Sequence, residues 1–240
     1  MKQSVIDSNQ PVNRLLAALP DDVYQRLFVD LEQVELIEHQ ILSYPGDSYD
    51  YAYFPCSMMI SHVAIMENGS TAEIGVIGNE GMVGLPIILN TDYIINSCLI
   101  VQVRGTCWRI AAKQLQKEYV RYEALFNLLQ HYLQARFIQV GQTAACNSYH
   151  KIEQRFARWL LMVYDSIQRD EFYLTQEFIS QMLGVRRGGV TAVAAKFQKA
   201  GIIQYNRGLI KINSLEKLEA ISCECYELVR NEFERIIRIV

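Results

Sequence analysis

The chain has 240 residues, half of them hydrophobic and a fifth charged, enough for one large or two ordinary domains with a buried core and too apolar for a disordered polymer. Its apolar runs, such as Trp159 to Tyr164, fall far short of the ~18 residues of a membrane span, and the amino terminus MKQSVIDSNQPVNRLL has no secretory apolar region. The six cysteines, at 56, 98, 107, 146, 223 and 225, are scattered apart from one Cys-Glu-Cys, which argues for a reduced, cytoplasmic protein over a disulfide framework.

The net charge of −3 is unevenly spread. Residues 1–130 carry 8 basic against 15 acidic side chains, whereas residues 150–212 carry 10 against 5. An acidic first half joined to a basic second half points to a polyanion met only by the second.

In chain order, Asn13-Arg-Leu-Leu-Ala-Ala-Leu-Pro reads as helix, and Asp21-Asp22 are placed to cap a second helix from Val23 to about Leu31. From Val34 to about Ile110 the texture is that of strands. Val34 to Ile37 and Ile41 to Tyr44 are short apolar-rich runs closed by the turn Pro45-Gly46-Asp47. Met58 to Met66 and Thr71 to Ile77 flank Asn68-Gly69, which predicts a hairpin with a type I′ turn. Ser97 to Val103 and Cys107 to Ile110 complete a set that implies a small sandwich or barrel.

After Ile110 the pattern turns helical. Leu125, Leu129, Leu133, Phe137, Val140 and Ala144 form an apolar stripe at spacings of 3 and 4. A single helix from about Tyr119 to Ser148 would be ~45 Å long. Such a stripe either packs on the strands or makes a coiled-coil-like dimer seam, and its length favours the seam.

Residues 173–212 carry the most informative pattern. Thr175 is a good N-cap for a short helix with apolar residues at 178, 179, 182 and 183, and Gly184 breaks it. A second helix from about Arg186 to Lys199 turns Val190, Val193, Ala194 and Phe197 inward, and Gly201 stops it. Ile202 to Tyr205, Asn206-Arg-Gly and Leu209 to Ile212 then form a hairpin. Helix, glycine turn, helix and hairpin make a winged helix-turn-helix. Such a recognition helix enters the major groove by its amino end, here Arg186 and Arg187, whose guanidinium groups can fork onto guanine. Lys196, Lys199, Arg207 and Lys211 would follow the phosphates.

Leu183-Gly-Val-Arg-Arg-Gly-Gly-Val-Thr, Tyr53-Phe-Pro-Cys-Ser, Asn79-Glu-Gly-Met-Val-Gly-Leu-Pro and Leu218-Glu-Ala-Ile-Ser-Cys-Glu-Cys-Tyr together resemble the Crp/Fnr superfamily of bacterial transcription regulators across almost the whole chain. The resemblance implies an α+β architecture: a cyclic-nucleotide-binding-like β-roll (jelly roll) with amino-terminal helices over residues 1–117, a dimerisation helix over 118–149, and a winged helix-turn-helix with a carboxy-terminal helix over 150–240. It implies a homodimer reading a near-palindromic site, with RNA polymerase as a further candidate partner and no membrane. Arg187 matches the guanine-reading arginine and Gln176 a phosphate contact, and Thr191 falls on the same helix face. Gly188, Gly189 and Ala192 depart from the family's base-reading positions, so DNA shape and phosphate contacts would carry more of the specificity. The expected DNA-binding set is therefore Thr175, Gln176, Arg186, Arg187, Thr191, Lys196, Lys199 and Arg207.

Nucleotide-binding members clamp the ribose and cyclic phosphate with Gly-Glu and a following Arg-Ser or Arg-Thr. Here Met82 follows Gly81, Asp92 is the single charge between Gly81 and Val103, and no Lys or Arg lies between Arg26 and Arg104. A cyclic nucleotide is therefore not expected as the effector. No cofactor or metal is expected either: Cys223 and Cys225 fall in an expected helix where i and i+2 diverge, and all six cysteines read as small buried hydrophobes. His39 and His62 read as packed or solvated rather than as haem ligands. No nucleophile, base and oxyanion group converge, so an enzyme is not expected. The double glycine leaves one alternative, an adaptor whose β-roll and degenerate helix-turn-helix bind a protein.

Overall fold

The computed structural model describes residues 13–89 and 97–239; the amino-terminal reading over residues 1–12 and Asp92 lie outside them. Two short helices, α1 (Arg14–Ala17) and α2 (Asp21–Phe28), open the described chain. Asp21 and Asp22 sit inside the first turn of α2, and Pro20 occupies the N-cap without a side-chain bond, so the acids act through the helix dipole rather than as caps.

Among the described residues seven antiparallel strands follow: β1 (Glu32–Leu36), β2 (Ile41–Ser43), β3 (Tyr51–Pro55), β4 (Met59–Ile65), β5 (Thr71–Ile77), β6 (Ser97–Val103) and β7 (Gly105–Ala111), with the short helix α3 (Leu85–Ile88) between β5 and β6. They form one sheet in the order β1-β7-β3 and another in the order β2-β6-β4-β5. Leu36, Met58, Ile60, Leu99, Val101 and Cys107 pack together as their shared core. β3 was missing from the strand pattern because Tyr51-Ala-Tyr-Phe-Pro does not alternate polar with apolar.

The Asn68-Gly69 hairpin forms, but by another turn. Gly69 has φ +79° and Asn68 is not in the positive-φ region. Gly69 N donates to Met66 O and Met66 N to Ser70 O, both at 2.9 Å, the pattern of a three-residue loop closed by a glycine bulge. Asn68 Oδ1 accepts from Ser70 N at 3.0 Å, which holds Asn68 outside the I′ geometry. The type I′ turn occurs instead at Arg207 (φ +48°) and Gly208 (φ +92°), between residues Asn206 and Leu209, which pair.

The expected single helix from Tyr119 is two helices, α4 (Ala112–Arg121) and α5 (Glu123–Tyr149). Tyr122, between them, is extended (φ −117°, ψ 114°), and the guanidinium groups of Arg26 and Arg121 lie 5.5 and 5.3 Å from its ring. Neither Gly nor Pro stands at this break.

α6 (Ile152–Ile167), β8 (Glu171–Tyr173), α7 (Gln176–Met182), α8 (Arg187–Lys199), β9 (Ile203–Asn206), β10 (Leu209–Ile212), α9 (Leu215–Ile221) and α10 (Cys225–Ile239) complete the chain. The three strands pair in the order β8-β10-β9. α10 runs back to the first half of the molecule: Val229, Phe233 and Ile236 share a core with Leu15, Phe54, Leu125 and Tyr132, and Arg14 pairs with Glu234 at 2.7 Å.

Candidate nucleic-acid interface

Thr175 caps α7, its hydroxyl accepting from Phe178 N at 3.2 Å. The helix ends at Leu183, after which Gly184 takes φ +60°. Gly184 N donates to Gln181 O at 3.1 Å and Val185 N to Ser180 O at 2.9 Å. This is a Schellman cap, in which the left-handed residue turns the chain and satisfies two orphan carbonyls. Gly201 closes α8 in the same manner, with Ile202 N on Phe197 O at 2.9 Å. Both predicted glycine stops therefore have the same physical cause.

The turn fixes α8 against a core of its own. Val190, Val193, Ala194 and Phe197 are buried, and the Phe197 ring stacks on Phe156 of α6 at 5.8 Å. Arg155 of α6 donates to Leu183 O and so ties α6 to the turn. The outer face of α8 is left open. Arg186, its N-cap residue, together with Arg187, Thr191, Lys196 and Lys199, is exposed, as are Arg207 at the tip of the β9–β10 hairpin and Lys211 in β10.

Several of these groups hold one another. Thr191 donates to Gln176 Oε1 at 2.6 Å and so joins α8 to the head of α7. Lys196 pairs with Glu153 at 2.9 Å, and Arg187 stands 3.9 Å from Glu177. Exposed pairs of this kind contribute about 0–1 kcal/mol, so neither carboxylate holds its cation strongly. At Gly188 an added Cβ would meet nothing, whereas at Gly189 it would lie 2.9 Å from Ile152. Gly189 is thus a packing glycine, and Gly188 leaves the helix start bare and the backbone there accessible.

The stripe assigned to the central helix divides. Leu125 and Leu129 are buried in the chain's own core with Leu15 and Phe54, so no second chain is needed to cover them and the seam assignment does not hold for these two. Leu133 and Val140 are half-buried, Ala144 is exposed and Phe137 is 80% exposed. Phe126, absent from the predicted stripe, extends the open face at 43% exposure. Three successive steps of four residues turn the stripe by about 120° between Leu125 and Phe137, at 3.6 residues per turn, so its two ends face different sides of α5.

In the β-roll, Gly81 and Met82 lie under α5. Tyr132 is fully buried, its hydroxyl donates to Met82 O at 2.8 Å, and a Cβ on Gly81 would collide with that hydroxyl. Arg136, a cation from outside the strand region, donates to Val76 O at 2.6 Å and to Gln139. His39 is exposed, with its ring edge on Phe178 of α7, and His62 lies in β4 with burial lowering its pKa to about 4.

The cysteines depart from the sequence expectation. α9 ends at Ile221 and α10 begins at Cys225, so Cys223 and Cys225 flank a helix break instead of sharing a helix. The break turns both toward Cys146, and the three form a buried cluster separate from the other cores.

A family model described as the Crp-like helix-turn-helix domain matches residues 154–221, the segment whose turn and recognition helix are built as above. No curated protein matches. Among solved structures, the chain is similar to a putative Crp/Fnr-family transcriptional regulator from Eubacterium rectale, with TM-score 0.63 and 18% identity over 86% of this chain and 96% of that one. It is similar to FixK2 from Bradyrhizobium japonicum, with TM-score 0.67 and 10% identity over 80% and 98%. A Crp/Fnr-family regulator from Thermus thermophilus gives TM-score 0.60 and 16% identity over 82% and 98%. These likenesses establish a shared fold over most of the chain, and the domain match places the helix-turn-helix within it. The chain thus carries a Crp-like helix-turn-helix domain within a fold that it shares with Crp/Fnr-family structures.

Proposed function

We propose that the chain acts as a homodimer on a near-palindromic operator, with residues 1–117 as the sensor-like unit, 118–149 as the dimer helix and 150–240 as the DNA-binding unit. One observation carries the reading. α8 presents Arg186 and Arg187 at an open amino end, with Lys196, Lys199 and Arg207 around it and Thr175, Gln176 and Thr191 beside it. The helix amino end meets base edges and the outlying cations meet phosphates. Two copies related by a twofold axis would set two such helices ~34 Å apart, one duplex turn. The open face of α5, now Phe126, Leu133, Phe137, Val140 and Ala144, supports the seam.

Replacing Arg186 and Arg187 together by Ala tests the interface. Each lost bidentate guanine contact costs about 1–3 kcal/mol per half-site, and each lost phosphate contact flattens the salt dependence by about 0.9 in slope. Operator affinity unchanged by the double substitution, measured by fluorescence anisotropy, would contradict the assignment.

The same regulator works without a cyclic nucleotide. No Lys or Arg lies between Arg26 and Arg104, Tyr132 fills the space over Gly81 and Met82, and Arg136 is committed to a backbone carbonyl. Saturating cyclic AMP or cyclic GMP should leave the melting temperature unchanged, because a ligand that binds the folded state must raise it. A concentration-dependent rise would refute this.

A further inference from the structure

Four potential metal ligands converge where α5 ends. Cys146 and His150, four residues apart, lie on one face of the last turn of α5 and its cap. Cys223 and Cys225 come from the α9–α10 break. The donor atoms of all four lie within 4.8 Å of one another. Cys146 Sγ is 3.6 Å from Cys223 Sγ, and Cys225 Sγ is 3.4 Å from His150 Nδ1. A tetrahedral zinc ion with Zn–S near 2.3 Å and Zn–N near 2.0–2.1 Å places its ligands about 3.8 Å apart for two sulfurs and about 3.6 Å for sulfur and nitrogen. These two separations match those edges to within about 0.2 Å.

The surroundings are those of a metal site as well. Glu224 Oε2 lies 3.3 Å from His150 Nε2. A carboxylate there can accept from Nε2–H, the outer-shell contact typical of metal-bound histidines, while Nδ1 faces Cys225. Gln142 Nε2 donates to Cys225 Sγ at 3.0 Å, a bond that steadies a thiolate. The buried Arg158 lies against Cys146 and offsets the one net negative charge that three thiolates, a neutral imidazole and a divalent ion would carry. The three cysteines are at most 5% exposed, which shields a closed four-ligand site from exchange.

We propose that Cys146, His150, Cys223 and Cys225 form a Cys3His site for a zinc ion. Thiolate and imidazole donors in a tetrahedral array select zinc over hard divalent cations. His150 is the first residue after α5 and α6 begins at Ile152, so the ion ties the end of the central helix to the α9–α10 junction. It thereby fixes the hinge from which the helix-turn-helix projects. This placement holds whether or not the chain dimerises or reads a palindrome.

Cobalt(II) is the probe. The full-length chain, reduced, stripped with chelator and titrated with cobalt alone, should take up one equivalent. The spectrum should show the strong visible absorption of tetrahedral cobalt together with thiolate charge transfer, and zinc should abolish both. Cys223→Ser and Cys225→Ser should each weaken uptake by more than the about 10–100-fold that loss of an outer-shell partner costs, whereas Cys98→Ser, in β6, should leave it unchanged. Alkylation of the unmutated protein avoids any effect of substitution on folding: under mild denaturant, zinc should protect Cys146, Cys223 and Cys225 in mass spectra while Cys56, Cys98 and Cys107 react at the zinc-free rate. No uptake by the reduced chain, an octahedral spectrum, or uptake and protection that do not depend on these three cysteines would overturn the site. A reduced chain that takes up no cobalt but oxidises to a Cys146–Cys223 disulfide would make the cluster a thiol pair instead.

Discussion

Glu73 stands in β5 with its carboxyl enclosed, Ser61 donating to it at 2.5 Å and Trp159 Nε1 of α6 at 2.9 Å. Burial pushes its pKa up to about 7 from 4.5, against the pull of those two bonds and of Arg158 and Arg136. Between pH 4.5 and 7 the folded chain therefore keeps a proton that the unfolded chain has released. Stability falls as pH rises through that window and levels off above it. The span corresponds to about 3 kcal/mol. Glu73→Gln keeps both hydrogen bonds without the charge, so its stability relative to the parent in urea should rise by about that amount from pH 4.5 to 8. His62, pulled the other way by burial, is common to both proteins and drops out of the difference. Parallel pH profiles would contradict the account. The Trp159 bond also joins the β-roll to the DNA-binding half, a contact between residues 86 apart that no local pattern announces. Tyr132 over Gly81, Arg136 on Val76 and the Cys146 cluster were illegible for the same reason: each is made by residues far apart in the chain.

At the scale of elements, the local rules worked where the chain's own short-range chemistry decides the geometry. The helix-turn-helix was readable residue by residue, because an N-cap threonine, two Schellman glycines and an inward apolar face are all local signals. The hairpins were readable as hairpins, but not their turns, since Asn68 bonds Ser70 while Arg207 adopts positive φ without being an Asn or Gly. The break at Tyr122 could not be read, because no Gly or Pro marks it in the sequence. Steps of four residues drift around a helix of 3.6 residues per turn, so Leu125 and Leu129 belong to the core and Phe137 to the open face. Phe137→Glu tests the seam without touching that core. Burying one phenylalanine is worth about 1.5–3 kcal/mol, and a twofold interface loses it twice. The dimer dissociation constant from sedimentation equilibrium should rise by about a hundredfold or more, with the monomer fold intact by circular dichroism. An unchanged dimer would place the interface elsewhere.

For the whole molecule, the division of charge seen along the chain becomes a division in space. The β-roll strands contribute no Lys or Arg before Arg104, while the exposed face of α8 and the β9–β10 hairpin carry the basic side chains. The halves are nevertheless locked together, by α10 returning to α1 and α5 and by Glu73 reaching Trp159. The most direct test of a dimeric, sequence-reading regulator is selection of bound duplexes from a random DNA pool at two salt concentrations. The account predicts an enriched palindrome with half-sites one helical turn apart, and affinity that falls steeply as salt rises. Salt-sensitive binding with no enriched sequence, or a single unpaired half-site, would contradict it.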